Sequence, residues 1–189
     1  MSDNATHGFD TVCIRGGHTS ESNRAHLTPI YASSTYVFDS AEQSMATFRG
    51  EEKGYIYGRW GNPTITEAEE KIALLEAYGL MNADGTPLQL KAILHASGMA
   101  AVTTMLLANV KAGQKIITHF SLYGGTHELI EKILPTLGIQ AILVDFHNPT
   151  AVEEVLKTEK DIALMYLETP ANPTLQCVDL DVLSSLGKE

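Results

Sequence analysis

Two stretches of the sequence could hold a flat, phosphorylated ligand. Ser97-Gly98-Met99 opens a helical pattern, and a helix start offers a phosphate free backbone N–H groups and the positive end of a dipole. Tyr123 precedes paired glycines, which would let its ring lie over a ligand. Both have a simpler alternative, because Ser97 could merely cap a tight turn and Tyr123 could be an exposed turn residue.

Two further stretches supply polar orienting groups. Glu168 and Asn172 lie in a proline-rich segment, where a carboxylate and an amide can orient a polar ring. Arg59, two residues after Tyr57, could donate two hydrogen bonds to a phosphate. Alternatively, Asn172 caps a turn and Arg59 is an ordinary surface residue. Together, the four stretches predict one site for a flat, phosphorylated cofactor.

The elements that position these residues follow from the apolar pattern after residue 61. Short apolar runs predict strands, and the patterns between and after them predict helices. The strands are expected at 92–95, 115–118, 139–144 and 162–167, and the helices at 99–110, 125–134, 150–157 and 179–186. This alternation predicts an α/β fold with a mainly parallel sheet and helices on both faces. The helix at 99–110 is apolar on nearly every side, so we expect it to be buried all round.

Local signals predict where several helices begin and end. Thr66-Glu67-Ala68-Glu69 has the form of a capping box and predicts the start of a helix. Gly79 is the stop signal that ends this helix. Pro135 is expected to end the helix at 125–134, and Asn148-Pro149 to begin the next helix.

The first third of the chain has a different character. Residues 1–61 show little helical period apart from a short helix predicted at 40–49. So long an irregular segment is unusual inside a compact domain. It predicts an extended amino-terminal arm at 1–61 that contacts a neighbouring subunit, followed by a cofactor-binding domain at 62–189.

Composition excludes several classes of function. The 189 residues are 44% hydrophobic and 19% charged, with a net charge of −10, which is typical of a folded globular protein. The acidic excess disfavours binding to nucleic acid or to an anionic membrane. The polar start at Met1–Asp10 resembles no signal peptide, so we expect a cytoplasmic protein. The seven histidines form no H-x-H or H-x-x-x-H pair, and we therefore expect no metal site.

Four ordered motifs resemble those of a known family. Tyr57–Thr64 is similar to the Y-S-R-x-x-N-P-T signature of the Cys/Met-metabolism enzymes that use pyridoxal phosphate (PLP), and Ser97–Ala101, Tyr123–Thr126 and Glu168–Pro173 resemble the next three blocks. Pro29–Tyr36 is similar to the family's amino-terminal segment. The family includes cystathionine γ-synthase, cystathionine β- and γ-lyases and methionine γ-lyase.

This resemblance implies a fold-type-I PLP-dependent transferase and a reaction class. The expected enzyme is a carbon–sulfur lyase or γ-synthase that acts on cystathionine, methionine, cysteine or homocysteine, by elimination or replacement at Cβ or Cγ. Tyr57 and Arg59 would reach the cofactor phosphate of the neighbouring subunit, which implies a homodimer or homotetramer.

The resemblance also implies roles for the remaining motif residues. The backbone of Gly98 and Met99 would hold the phosphate, with Ser97 beside it. Tyr123 would stack on the pyridine ring as the catalytic residue that shuttles protons. The Asn172 amide would bind the phenolic oxygen of the ring, and Glu168 would support that loop.

The sequence departs from the family pattern in three ways. Gly58 replaces the usual serine, and Gly125 stands where methionine γ-lyases commonly carry a cysteine, which favours a cystathionine-type enzyme or a broader lyase. The lysine that forms a Schiff base with PLP, and the aspartate for the pyridinium nitrogen, are absent from the 189 residues. The domain at 62–189 is therefore expected to be incomplete. Two alternatives remain: an inactive fragment or paralogue that acts through subunit pairing, and a generic nucleotide-binding α/β domain.

Overall fold

The computed structural model of the chain describes residues 7–17 and 26–187. The backbone packs into two compact units, an N-terminal unit (Met1–Leu94) and a C-terminal unit (His95–Glu189). The predicted arm at 1–61 lies within the N-terminal unit, and its residues 1–6 and 18–25 lie outside the described residues. Its contact with another subunit stays a prediction.

Three helices form the framework of the N-terminal unit: α1 (Phe9–Arg15), α2 (Ala41–Phe48) and α3 (Pro63–Glu76). The short helix predicted at 40–49 is confirmed as α2, whereas α1 was not predicted. α1 packs against α3, and beyond the end of α3 the ring of Tyr78 meets Phe9 edge-on with centroids 5.2 Å apart.

Helix α3 begins earlier than the capping-box pattern predicts. Asn62 is its N-cap, and the Asn62 side chain accepts a hydrogen bond from the backbone N–H of Thr64 at 2.9 Å. Pro63 occupies the first helical turn, where its fixed φ suits the helix and its missing N–H is no loss. The predicted start at Thr66 is therefore wrong, because this Asn-Pro pair begins the helix first.

A parallel sheet is the centre of the C-terminal unit. Strands β1 (Lys115–Thr118), β2 (Gln140–Leu143) and β3 (Ile162–Tyr166) lie in the order β2-β1-β3, and β1 pairs in parallel with both neighbours. Three of the predicted strands are thereby confirmed. The helices of this unit are α4 (Gly98–Asn109), α5 (Gly124–Glu128), α6 (Pro149–Thr158) and α7 (Leu180–Leu186).

Adjacent residues of β1 face opposite sides of the sheet and enter two different cores. Ile116 packs in a cluster with Leu106 of α4 and with Ile130, which follows α5. Ile117 packs in a second cluster with Val152 of α6 and Leu183 of α7. Helices therefore cover both faces of the sheet, as predicted.

Two expectations about the segment before β1 are wrong. Residues 92–95 form no strand, and Ile93 is 75% exposed, because no described backbone pairs with this run. Helix α4 is not buried all round, since Leu106 is its only buried residue and Leu107 is 46% exposed. An apolar pattern shows that a surface prefers burial, but the described residues cover only one side of α4.

The helical run after α5 also continues past the predicted stop. A π-helical turn (Leu129–Ile133) and a 3₁₀ turn (Leu134–Leu137) extend it to Gly138, whose φ of 78° ends it. Pro135 occupies the first turn of the 3₁₀ segment, a position that tolerates proline. The prediction that Pro135 ends the helix was therefore wrong.

Candidate functional site

The start of α4 offers two backbone donors. The Ser97 hydroxyl oxygen accepts the N–H of Ala100 at 3.1 Å, so the side chain caps the helix, as the simpler alternative had it. Among the described residues, the N–H groups of Gly98 and Met99 have no hydrogen-bond acceptor. A Cβ built on Gly98 would meet no atom within 4 Å, which leaves room for a phosphate to approach these donors.

Tyr123 lies beyond the carboxyl end of β1, at the N-cap position of α5. The residue is 49% exposed, and its side chain folds back over Gly125. A Cβ added at Gly125 would lie 2.8 Å from Tyr123 Cε1 and 3.1 Å from Met99 Sδ. Glycine is therefore required at this position for the Tyr123 ring to keep its present place.

Glu168, two residues beyond β3, holds the Tyr123 loop through both carboxylate oxygens. The backbone N–H of Tyr123 donates to Oε2 at 2.6 Å. The hydroxyls of Thr126 and Tyr166 donate to Oε1 at 2.7 Å and 2.9 Å. Burial, together with the hydrogen bond to Glu168, raises the pKa of Tyr166 far above its usual value, so this phenol stays a neutral donor. The motifs predict Glu168. Thr126 lies within the Tyr123–Thr126 motif but was given no role, and Tyr166 lies outside the motifs.

Asn172 lies four residues further along the same loop and is exposed. Backbone hydrogen bonds close the loop, with Ala171 N–H donating to Gln176 O at 2.9 Å and Leu175 N–H donating to Ala171 O at 2.7 Å. Among the described residues, the Asn172 side chain has no hydrogen-bond partner. It therefore does not cap the turn, and its amide is available to a ligand.

The C-terminal unit thus brings most of the predicted site residues to one edge of the sheet. Met99 lies against the Tyr123 segment, with its Sδ 3.8 Å from the Thr126 hydroxyl. Glu168 bonds to the same segment, and Ser97 and Gly98 adjoin Met99 in the chain. The carboxyl ends of parallel strands are the usual place for ligands in such sheets.

Tyr57 and Arg59 belong to the N-terminal unit. The Arg59 guanidinium carbon lies 5.5 Å from the centre of the Tyr57 ring, and both residues line a cleft of about 520 Å³. In the described ranges, no carboxylate pairs with Arg59. The Gly58 N–H donates to Ser34 O at 2.7 Å, and a Cβ at Gly58 would lie 3.2 Å from Ser33 O. Replacing the usual serine by Gly58 therefore relieves a close contact with the backbone.

A family model for Cys/Met metabolism PLP-dependent enzymes matches residues 10–189. The chain belongs to this family. PLP is the family's cofactor, and the fold is that of the fold-type-I PLP enzymes. None of the helices in the described ranges is both long enough and apolar enough to span a lipid bilayer.

The relatives of this Cys/Met-metabolism chain include lyases and a synthase. An L-methionine gamma-lyase of Fusobacterium nucleatum subsp. polymorphum is 41% identical over 96% of the chain and 42% of its own length. Cystathionine gamma-synthase 1 of Nicotiana tabacum is 39% identical over 87% of the chain and 28% of its own length. Among solved structures, cystathionine gamma-lyase from Lactobacillus plantarum superposes with a TM-score of 0.78 at 31% identity, covering 96% of the chain and 42% of that protein. The chain spans less than half the length of these relatives.

The sequence analysis of this Cys/Met-metabolism chain did not predict one cluster of three side chains. His119, Asp145 and His147 lie close together on the loops after β1 and β2. The His147 Nδ1 lies 3.1 Å from Asp145 Oδ1, and the His119 Nδ1 lies 3.8 Å from it. The backbone N–H of Phe146 already donates to His119 Nδ1 at 3.2 Å, which occupies that lone pair. We therefore assign these residues to loop packing, and the expected absence of a metal site stays a prediction. A search for histidine pairs misses a cluster that is built from two loops.

Proposed function

We propose that the protein carrying this chain is a PLP-dependent enzyme that breaks or exchanges carbon–sulfur bonds in sulfur amino acids. The observation that carries the proposal is the meeting of two features at one sheet edge. The Tyr123 loop is held against Met99, and the neighbouring N–H groups at the start of α4 have no acceptor in the described chain. A flat ligand with a phosphate fits that combination.

The residues of the C-terminal unit fit the cofactor. The N–H groups of Gly98 and Met99 would hold the phosphate, and the phenol ring of Tyr123 would lie over the pyridine ring. The Asn172 amide would donate to the phenolic oxygen. When bound, PLP withdraws electrons from the substrate's α-carbon and so makes the Cα–H acidic. Tyr123 would hold or move a proton through its hydroxyl, which is the role expected of the catalytic residue.

The same proposal assigns Tyr57 and Arg59 to the phosphate of a neighbouring subunit, in a homodimer or homotetramer. Arg59 supports this assignment because it is a cation with no carboxylate partner in the described residues. A cytoplasmic location completes the proposal, and its support is that Cys13 and Cys177 are both free thiols.

The test measures PLP binding and turnover by the purified protein. PLP is titrated by absorbance, and 2-oxoacid and thiol release are then measured with L-methionine and with L-cystathionine. Tyr123→Phe keeps the ring and removes the hydroxyl, so we expect PLP binding to persist while turnover falls by about 10²–10⁴-fold. Tyr78→Phe, in the N-terminal unit, is the matched control and should leave both properties unchanged.

Two results would overturn the proposal: wild-type protein that does not bind PLP, or bound PLP with no release from either substrate. The ratio of the two substrates also tests the expectation from Gly125. That expectation is wrong if methionine alone is cleaved.

A further inference from the structure

The carboxylate of Glu168 has three donors and no cation. The donors are the Tyr123 N–H and the hydroxyls of Thr126 and Tyr166. In the described part of the chain, no lysine, arginine or histidine forms an ion pair with Glu168. A carboxylate offers only acceptor oxygens, so its hydrogen-bonding capacity matches a set of three donors.

All three donors lie on elements that must be held together for the site to keep its shape. Tyr123 ends the loop after β1, Thr126 lies in the first turn of α5 and is 1% exposed, and Tyr166 is the last residue of β3. One carboxylate therefore joins the ends of two neighbouring strands to a helix start. The bond to Tyr123 is to its backbone, so it fixes the loop without using the phenol.

The position of the Tyr123 ring depends on this backbone bond. The ring already lies over Gly125, where a Cβ would be only 2.8 Å from it. Tyr123 is 49% exposed, so the described residues enclose its ring only in part. The backbone that carries the ring donates to Glu168, so a shift of this backbone would move the ring.

We propose that Glu168 is a positioning residue that sets the Tyr123 ring over the cofactor, and that Thr126 and Tyr166 orient the Glu168 carboxylate. The proposal rests on the function proposed above, and it extends the loop-supporting role expected for Glu168 to two residues that the sequence analysis gave no role. Both oxygens of Glu168 accept hydrogen bonds from the three donors, so Glu168 acts through the backbone of Tyr123.

The first set of variants separates shape from charge at residue 168. Glu168→Gln keeps the shape, because its oxygen can accept the Tyr123 N–H while its NH₂ group donates to the two hydroxyls after they rotate. Glu168→Ala removes every acceptor. The matched control is Glu159→Ala, which removes a carboxylate that pairs with Lys115 on the surface of the same unit.

The first readout is hydrogen exchange of the Tyr123 amide, measured by NMR without cofactor. We expect Glu168→Ala to speed exchange at this amide by about ten- to a hundredfold, and Glu168→Gln to change it by less than about threefold. The Glu159→Ala control should leave the Tyr123 amide unchanged. Unchanged exchange in Glu168→Ala would overturn the proposal, whatever the cofactor does.

The second readout is the absorbance of bound PLP together with the split between kcat and KM. A displaced ring should shift the absorbance band and lower kcat by about tenfold or more in Glu168→Ala, while Glu168→Gln rescues most of the loss. The pH optimum should stay the same in Glu168→Gln, because Glu168 transfers no proton. A shifted pH optimum would overturn the positioning role in favour of acid–base chemistry.

The two orienting residues are tested with conservative pairs. Thr126→Val removes the hydroxyl and Thr126→Ser keeps it, so Val but not Ser should speed Tyr123 amide exchange. Tyr166→Phe should have a similar but smaller effect, because its bond of 2.9 Å is the longest of the three. Equal exchange in Val and Ser variants would overturn the role of Thr126.

These readouts keep the two proposals apart. If wild-type protein does not bind PLP but Glu168→Ala still speeds Tyr123 exchange, the proposed function fails and the network is supported. If PLP binds and turns over substrate but exchange and absorbance do not change in Glu168→Ala, the function stands and the network is overturned.

Discussion

The two units of the chain hold their candidate site residues by different means. In the C-terminal unit, fifteen apolar residues of the described chain are buried, whereas in the N-terminal unit only Val12, Ala73 and Ala77 are. In the C-terminal unit a side-chain network around Glu168 fixes the Tyr123 loop above a packed sheet. In the N-terminal unit, backbone hydrogen bonds and the side chains of Asn62 and Thr64 hold the residues around Tyr57.

This difference shows that candidate site residues can be positioned without a closed core. The N-terminal unit exposes large apolar side chains, with Val37 fully exposed and Trp60 65% exposed. Its order around the cleft depends on polar tethers: the Asn62 amide donates to Tyr31 O at 2.7 Å, and the Thr64 hydroxyl donates to Pro29 O at 3.1 Å. Substitutions should therefore affect the two units in different ways.

The largest expected effect is the loss of core packing. Ile116→Ala should lower the free energy of unfolding by about 2–5 kcal/mol, because Ile116 is fully buried in the C-terminal unit. Ile93→Ala, in the N-terminal unit, should change it by less than about 0.5 kcal/mol, because Ile93 is exposed. Urea unfolding measures both, and equal losses would contradict the contrast between the units.

The next largest effect is expected where a Cβ added at a glycine would meet a neighbouring atom. Gly125→Ala places a Cβ against the Tyr123 ring, so we expect a loss of about 1–3 kcal/mol together with a displaced ring. Gly124→Ala is the control, since nothing lies within 4 Å of its Cβ. In the N-terminal unit, Gly58→Ala should stay within about 0.5 kcal/mol, because lower unfolded-state entropy offsets a mild contact. Thermal unfolding checks all three, and a Gly124→Ala loss as large as that of Gly125→Ala would contradict the prediction.

The helix caps sharpen the comparison further. Asn62 caps α3 and also tethers Tyr31, whereas Asn148 only caps α6, with its Oδ1 3.3 Å from the Ala151 N–H. We expect Asn62→Ala to lower the free energy of unfolding by about 2 kcal/mol and Asn148→Ala by about 1 kcal/mol. Urea midpoints decide the order, and a larger loss for Asn148→Ala would argue against the tether.

The smallest effect is a dependence of stability on acid. The backbone N–H of His147 holds the pKa of Asp145 below its ordinary value, and the Thr86 hydroxyl does the same for Asp84 in the N-terminal unit. A carboxyl whose folded pKa is lowered adds stability above its unfolded pKa and loses it as the pH falls through the folded pKa.

The stability advantage of wild type over Asp145→Asn should therefore shrink as the pH falls below about 3.9. The stability advantage of wild type over Asp84→Asn should shrink in the same way, because the hydrogen bond that lowers the pKa is local in each unit. Both effects should be small, since both carboxyls are at the surface. Unfolding measured from about pH 6 to about pH 2.5 tests this, and a difference that stays constant over that range would contradict it.

The sequence predicts most of the fold of the C-terminal unit because local pattern and tertiary packing agree there. Three apolar runs become the strands of the sheet, and Asn148-Pro149 begins α6 as expected. The failures lie where packing or neighbouring residues override a local signal. Residues 92–95 have the pattern of a strand but no backbone partner in the described chain, and α4 has apolar residues on a side that nothing described covers.

The candidate site divides in the same way. The motifs point to Ser97, Gly98, Tyr123, Glu168 and Asn172, because glycines, prolines and helix starts leave a local signal. Roles for these residues toward the cofactor stay predictions. No role for Thr126 or Tyr166 follows from local pattern. Thr126 lies in a motif without an assigned role, Tyr166 ends a strand outside the motifs, and only their contact with Glu168 gives them one.

The sequence by itself determined the family, the alternation of strands and helices and the short segments that carry the site residues. All of these depend on residue type and spacing over a few positions. Only the tertiary structure decided that Glu168 bonds to the backbone of Tyr123, that Gly125 makes room for the ring, and that His119 and Asp145 adjoin. Each of these contacts joins residues two to forty-five positions apart. The longer ones depend on the order in which the strands pair, which no local pattern contains.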